Sequence, residues 1–359
     1  MAVISLARGV PAPECLATAE LADCAREVLE RDGAIALNYG PVGGYAPLRE
    51  WLAERHGVGA GEILLTNGSL QGLDLLMSRY APERRILVET PTYDRALAIA
   101  GRHDAEIRAV AHDEEGLDPD ALERELREDP GPAFLYLLPT FQNPTGRTLP
   151  IERRRRLLDL AAEHDLVILE DDPYRLVRFE GDDVPSLHEL AGETTILYSS
   201  SFSKIVAPGL RVGYLVLPAA LSGELERVAV STYLAPTFPT QAIVFEFLRR
   251  GRLEPNIERI AGLLRQRRDA LVAALARELP DASWTTPAGG YFVWLDLPAG
   301  TDSRELLVAA EAAGVTFVPG SEFVLGSAAG AASARLAFSF PSPSEIDEAV
   351  SRLALALAA

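Results

Sequence analysis

The feature that most constrains this chain is an alternation. From residue 45 to about residue 250, short apolar runs take turns with amphipathic stretches. The runs Ile63–Thr66, Ile86–Glu89, Glu106–Val110, Ala133–Leu138, Leu166–Glu170, Thr195–Ser200 and Val212–Leu217 predict strands. Several, such as Phe134–Leu138, are apolar without a break, as strands covered on both faces by helices are. Helical periodicity fills the spaces between them, over Tyr45–His56, Ser69–Tyr80, Tyr93–Gly101, Pro119–Arg127 and Ile151–His164. The pattern predicts an α/β fold with a mostly parallel sheet. The texture changes after residue 250. A long helix is predicted over Arg252–Glu278, then a strand over Gly290–Leu297 and a helix over Ser303–Ala313. Short strands over Val315–Val318 and Arg335–Phe338 and a last helix over Ser344–Leu357 complete a smaller α+β unit. The expected division is residues 1–35 as an N-terminal arm and part of the small domain, with a helix over Leu16–Arg31, 36–250 as the large domain and 251–359 as the C-terminal small one.

Composition excludes several classes. The 359 residues carry 34 Lys+Arg against 52 Asp+Glu, a net charge of −18. A nucleic-acid partner needs a basic face. Hydrophobic residues at 48% and charged residues at 24% are globular values. No window approaches the ~18 apolar residues of a membrane helix, and the start of the chain lacks the apolar core of a signal peptide. Cys15 and Cys24 form neither a disulfide framework nor a zinc site by spacing, so the expected compartment is the reducing cytoplasm.

In open α/β sheets ligands bind at the carboxyl ends of strands, and there the chain is polar. Ser201-Phe202-Ser203-Lys204 follows one strand, and a lysine in a desolvated pocket can form a Schiff base. Glu170-Asp171-Asp172-Pro173-Tyr174 follows another. These acids could bind metal, cap a helix, pair with a cation, sit in a solvated turn, or hold a pyridine nitrogen protonated. Gln142-Asn143-Pro144-Thr145-Gly146 marks a tight turn whose Asn amide could donate to a phenolate. Thr66-Asn67-Gly68-Ser69-Leu70 sets amides at a helix start, which suits an anion or plain capping by Ser69. Gly209-Leu210-Arg211-Val212-Gly213 adds a cation for a phosphate. Arg335 lies on an apolar strand, where burial is costly unless an anion or an ion pair meets it. Taken together the set matches the needs of pyridoxal 5′-phosphate.

At these residues the chain resembles the fold-type I, pyridoxal-phosphate-dependent aminotransferases of class I/II. It is similar in flavour to the 2-aminoadipate/kynurenine aminotransferase group and to the catalytic domain of MocR-type regulators. The resemblance implies a mostly parallel seven-stranded sheet in the large domain. It implies that Lys204 carries the cofactor and then serves as general base, and that Asp171 pairs with the ring nitrogen. Asn143 and Tyr174 would bond the ring phenolate, and Tyr93 would stack on the ring. Gly68, Ser69, Leu70, Ser201, Ser203 and Arg211 would cup the phosphate, with Tyr39 reaching it from the neighbouring subunit of a homodimer. Arg335 would bind the substrate α-carboxylate, with Asn143 and Gly9-Val10 lining the substrate side. Position 70 is Leu where the group often has a polar residue, so only its backbone can serve. The chain before Gly9 is also shorter than in close relatives, which removes part of what selects the side chain. Arg8 would be surface charge or a contact for a substrate carboxylate.

The implied activity is amino transfer between an L-amino acid and a 2-oxo acid by a ping-pong course. The same residues would serve β-elimination, decarboxylation or oxidation on this cofactor, or a silent ligand-sensing domain. No metal site is expected. His56, His103, His112, His164 and His188 are placed on helices or loops without catalytic spacing, and Arg153–Arg156 is read as a solvated helix face.

Overall fold

The computed structural model describes residues 3–192, 194–326 and 330–358. In chain order its strands are Ile4–Ser5 (β1), Ile63–Thr66 (β2), Arg85–Thr90 (β3), Ile107–Asp113 (β4), Gly116–Leu117 (β5), Ala133–Leu137 (β6) and Leu166–Asp171 (β7). Ile196–Ser201 (β8), Gly213–Val216 (β9), Ser283–Trp284 (β10), Phe292–Asp296 (β11), Val315–Thr316 (β12), Val318–Pro319 (β13) and Ser333–Ala337 (β14) follow.

Eight of them form one sheet in the order β2-β9-β8-β7-β6-β3-β4-β5. Neighbours from β4 through β8 run parallel, and β9 is antiparallel to both of its neighbours. The sheet thus has one strand more than the expected seven. The extra strand, β5, pairs Leu117 with His112 and Gly116 with Asp113. A two-residue strand is too short to leave a periodic trace in sequence.

The unbroken apolar runs become strands covered on both faces. Phe134 and Tyr136 of β6 enter one buried cluster with Val88 and Leu169, whereas Leu135 and Leu137 enter another with Leu87 and Ile168. A fully buried side chain of this size contributes about 1.5–3 kcal/mol. The alternation also sorts the end of β7. Asp171 shares a face with Leu169 and Tyr136, and Glu170 and Asp172 turn to the other face.

The four-stranded antiparallel sheet β10-β11-β14-β13 lies beyond the long helix Leu253–Glu278, and β1 pairs parallel with β12. Two helices, Ala219–Tyr233 and Phe238–Arg249, occupy a stretch where the sequence suggested no element. The Ile243–Phe247 stretch of the second is rich in β-branched and aromatic residues, which favour strands. Burial of Phe238, Gln241, Ala242, Val244, Glu246, Phe247 and Leu248 overrides that preference. Two further expectations fail. His112 lies on a strand, β4, and Arg154 is buried completely rather than solvated.

Candidate active site

Four neighbouring strand ends, and the strand β14 facing them, deliver the predicted residues. Asp171 is the last residue of β7, and Ser201 is the last of β8 and leads to Lys204. Asn143 follows β6, and Tyr93 follows β3 at the entrance to the helix Asp94–Arg102.

Lys204 Nζ donates to the carbonyl of Gly9 at 2.8 Å and lies 5.0 Å and 5.6 Å from the ring centroids of Tyr291 and Tyr174. Burial pushes its amine down to about 8, with the positive charges of Arg335 and Arg211 acting in the same direction. A substantial neutral fraction is therefore present near neutral pH. No side chain fits at position 9, since a Cβ there would stand 2.6 Å from the Phe292 ring. The carbonyl of Val10 accepts from Ser339 at 2.8 Å, which fixes the segment over the cleft.

Asp171 is buried, and its Oδ2 accepts from the Tyr136 hydroxyl at 2.8 Å. Its Oδ1 is buried without a partner. Burial raises the carboxyl to about 6, opposed first by the Tyr136 hydroxyl and then by that of Ser199, with the Asp172 charge a lesser contribution in the same direction as burial. Asn143 Oδ1 accepts from Arg335 Nη1 at 2.9 Å, and Arg335 Nη2 donates to the Ala7 carbonyl at 2.9 Å. The guanidinium is stacked between Phe292 and Phe323, 4.3 Å and 4.8 Å from their centroids. Its Nε has no partner. Tyr174 is buried against Tyr291 and Phe292. Burial raises the Tyr93 phenol to about 12, with Asp94 and Asp171 adding to the effect.

The helix Ser69–Tyr80 starts at Gly68, whose φ is 86°, and no side chain caps it. Ser69 is the first helical residue rather than the cap, so the Ser69 and Leu70 amides are free for an anion, whereas Gln71 N donates to the Gly68 carbonyl. Backbone packs tightly there. A Cβ at Gly213 would stand 2.4 Å from the Ser69 amide nitrogen, and one at Gly68 would stand 2.2 Å from Arg211 Nη2. Arg211 donates to the carbonyls of Asn67 and Pro208, both at 3.2 Å, and meets no carboxylate among the described residues. Ser203 N donates to Ser201 Oγ at 3.3 Å.

Two predicted residues stand apart. Tyr39 is 84% exposed and bonds only Asn38 through its amide. The Leu70 side chain is at the surface, 37% exposed. Sequence reasoning also missed Tyr136, Tyr291, Phe292 and Phe323. All are aromatic members of buried segments: Tyr136 and Phe292 lie on strands, Tyr291 immediately precedes one and Phe323 ends a 3₁₀ turn, so no common periodicity marked them. The histidines stay outside the bonded network of the site. His56 Nε2 lies 3.1 Å from the Tyr214 hydroxyl, and burial lowers it to about 4. Among the described residues no group of His, Cys, Asp and Glu is arranged to hold a metal, and no helix is long and apolar enough to cross a membrane.

These residues fit a pyridine cofactor with a phosphate. Asp171 offers an orphaned acceptor, Lys204 offers an amine, and the uncapped helix start with Arg211 offers an anion cradle in which a Cβ at Gly213 would strike backbone and the positive φ at Gly68 favours glycine. The arrangement defines a pyridoxal-phosphate enzyme, and comparison with known proteins gives its class. Residues 3–353 match the family described as aminotransferase class I and II. The chain is 39% identical to the 2-aminoadipate transaminase of Thermus thermophilus, over 99% of this chain and 90% of that one. It is 37% identical to aromatic-amino-acid aminotransferase 1 of Thermococcus litoralis, over 98% and 87%. Among solved structures, Pyrococcus horikoshii kynurenine aminotransferase superposes with a TM-score of 0.95 at 35% identity, covering 100% of this chain and 91% of that one. The Thermus thermophilus α-aminoadipate aminotransferase, solved with a phosphopyridoxyl-leucine adduct, gives 0.93 at 38%, covering 99% and 92%. The chain belongs to the class I and II aminotransferase family. It is a pyridoxal-phosphate-dependent aminotransferase of fold type I.

Proposed function

We propose that this enzyme moves the amino group of an L-amino acid to a 2-oxo acid in two half-reactions at the site around Lys204. Bound pyridoxal phosphate supplies the electron sink for a Cα–H bond being broken. The chain supplies the rest. Asp171 holds a proton on the ring nitrogen through its free Oδ1. Asn143 and Tyr174 sit where a phenolate would be held, and Tyr93 packs on the ring. The amides of Ser69 and Leu70, with Ser201, Ser203 and Arg211, anchor the phosphate beside Gly68, whose own amide donates to the Thr66 carbonyl, and this pre-sets the geometry. Arg335 grips the substrate α-carboxylate, and stacking between two phenyl rings strips it of water, which strengthens that contact. Asn143, Gly9 and Val10 line the substrate side. Lys204, once free, takes the proton from Cα.

The donor is read as an amino acid with a long acidic or aromatic side chain, following the substrates in the relatives' names. The exposed Tyr39 is read as reaching the phosphate of a second copy, in a homodimer. Two buried free thiols support a reducing compartment, the cytoplasm.

The observation that carries the reading is the buried, unpartnered Asp171 oxygen on the strand next to the one that leads to Lys204. The test is Lys204→Ala assayed for 2-oxo acid release from acidic, aromatic, basic and branched donors. The expected result is a loss of turnover of roughly 10⁴-fold or more with every donor. Turnover at the parent rate would overturn it.

A further inference from the structure

Tyr136 lies in an apolar strand, belongs to no motif, and is completely buried in β6. Its register partner on β7 is Leu169, two residues before Asp171. Burial and the adjacent Asp171 carboxylate raise its phenol well above the ordinary value, so the hydroxyl is a donor throughout the working range. It gives that hydrogen bond to Asp171 Oδ2 at 2.8 Å and leaves Oδ1 as the one unpartnered oxygen of the carboxylate.

Ser199 is the other side chain that favours the charged carboxylate: it lies opposite Asp171 on β8 and acts less strongly than Tyr136, and its hydroxyl is not in hydrogen-bonding geometry. Asp172, next in the chain, repels it, and Tyr93 and Tyr174 approach within electrostatic range as neutral phenols. No cation pairs with Asp171 among the described residues. The terminal torsion of an aspartate is broad and soft. A carboxylate left free in this apolar wall would swing, or would take up a proton to avoid being a buried charge.

We propose that Tyr136 is a positioning residue for amino-group transfer: its hydroxyl pins the Asp171 carboxylate so that Oδ1 meets the cofactor ring nitrogen as an ionised acceptor. The proposal rests on the reading of Asp171 given above. It assigns to Tyr136 two effects of one bond, a fixed rotamer and preference for the charged form.

The test compares Tyr136→Phe, Asp171→Asn and the double variant with the parent. Two quantities are measured: the dissociation constant for pyridoxal phosphate, by fluorescence titration of the apoprotein, and the acid limb of kcat/KM in the holoenzyme. Tyr136→Phe is expected to weaken cofactor binding about tenfold, as for loss of one hydrogen bond to a charged group. It is also expected to move the acid limb to higher pH, because removing a donor to the ionised form raises the carboxyl. Asp171→Asn is expected to weaken binding further, with the double variant no worse than Asp171→Asn alone.

A Tyr136→Phe protein that matches the parent while Asp171→Asn is crippled would overturn the positioning role and leave the Asp171 reading standing. An additive double variant would reduce Tyr136 to packing and overturn it too. An Asp171→Asn protein that matches the parent in both measurements would sink the underlying reading instead. If Tyr136→Phe does not fold, 3-fluorotyrosine at position 136 keeps the volume and donates more strongly. The acid limb should then move to lower pH, and a limb that stays in place would overturn the proposal.

Discussion

Two buried arginines end up on opposite sides of the line between structure and function. Arg154 is fully enclosed and saturated. Its Nε donates to the Leu149 carbonyl at 3.0 Å and its Nη1 to that of Pro185 at 3.0 Å. Its Nη2 donates to the Pro139 carbonyl at 2.9 Å and the Thr140 hydroxyl at 2.8 Å. The Glu170 carboxylate neutralises it from 3.8 Å. Arg335 is almost as deeply buried, yet it stacks on aromatic rings, makes two hydrogen bonds, meets no carboxylate among the described residues, and keeps Nε free. Buried charge is costly unless paired. Arg79, Arg85 and Arg178 also keep unbonded nitrogens, but each meets a carboxylate (Glu224, Glu125 and Asp183); Arg335 meets none among the described residues, which leaves it open to an anion from outside. The acids on β7 repeat the contrast. Glu170 accepts from the Leu187 and His188 amides, and Asp172 accepts from the Tyr198 hydroxyl and the Arg175 amide. Asp171 between them retains a free oxygen. An unpaired buried polar group calls for an explanation, and at Asp171 and Arg335 the candidate site supplies one.

Matched substitutions put this contrast to the test, and the largest effect should come from the saturated residue. Arg154→Leu strips four acceptors and leaves Glu170 buried without its cation. Stability should fall by about 3–5 kcal/mol, read as the midpoint of urea unfolding, and the molecules that remain folded should keep the parent KM for the amino donor. A loss of less than about 1 kcal/mol would show that Arg154 is no structural tie.

Arg335→Leu should divide its effects the other way. The leucine keeps apolar contact with Phe292 and Phe323, and only Asn143 Oδ1 and the Ala7 carbonyl lose a donor. The stability loss should be about 1–2 kcal/mol. kcat/KM for the amino donor should fall roughly 100-fold, about 2.7 kcal/mol of transition-state stabilisation. A donor KM unchanged in this variant would remove the α-carboxylate from Arg335.

What could be read from the sequence follows the same division. Asp171, Asn143, Ser201 and Lys204 were legible because each is a polar residue that ends or follows an apolar run, and an apolar run next to polar residues identifies a strand end. Arg335 was legible because a charge on an apolar strand needs a reason. Arg154 was not, because it stands in a row of four arginines. Yet it falls in step with Leu157, Leu158 and Ala161, three, four and seven residues on, which are the buried face of the same helix. That periodicity was the available signal. Tyr136 was hidden by its apolar company, because only the register of two strands sets its hydroxyl against Asp171. Tyr39 was legible from its motif, but a surface position in one copy says nothing of the site it serves. The two helices over 219–249 gave no clear period, since the second is buried nearly all round.

The smallest expected effect is on Lys204, and it separates the two arginines by charge alone. Burial is the larger cause that holds the Lys204 amine near 8, and the charge of Arg335 comes second. Arg154 is absent from those causes. Arg335→Leu should therefore raise the pH at which Lys204 becomes nucleophilic by a fraction of a unit toward its ordinary value, and Arg154→Leu should leave it in place. The measurement is the pH dependence of aldehyde labelling of Lys204 in the apoprotein, trapped by borohydride and read by mass spectrometry. Equal shifts in both variants would mean that the amine responds to general loosening of the fold. A shift in Arg335→Leu alone would show that the incomplete arginine acts on the cleft with its full charge before any substrate arrives. The same charge would then draw in the carboxylate and help keep the lysine neutral enough to react.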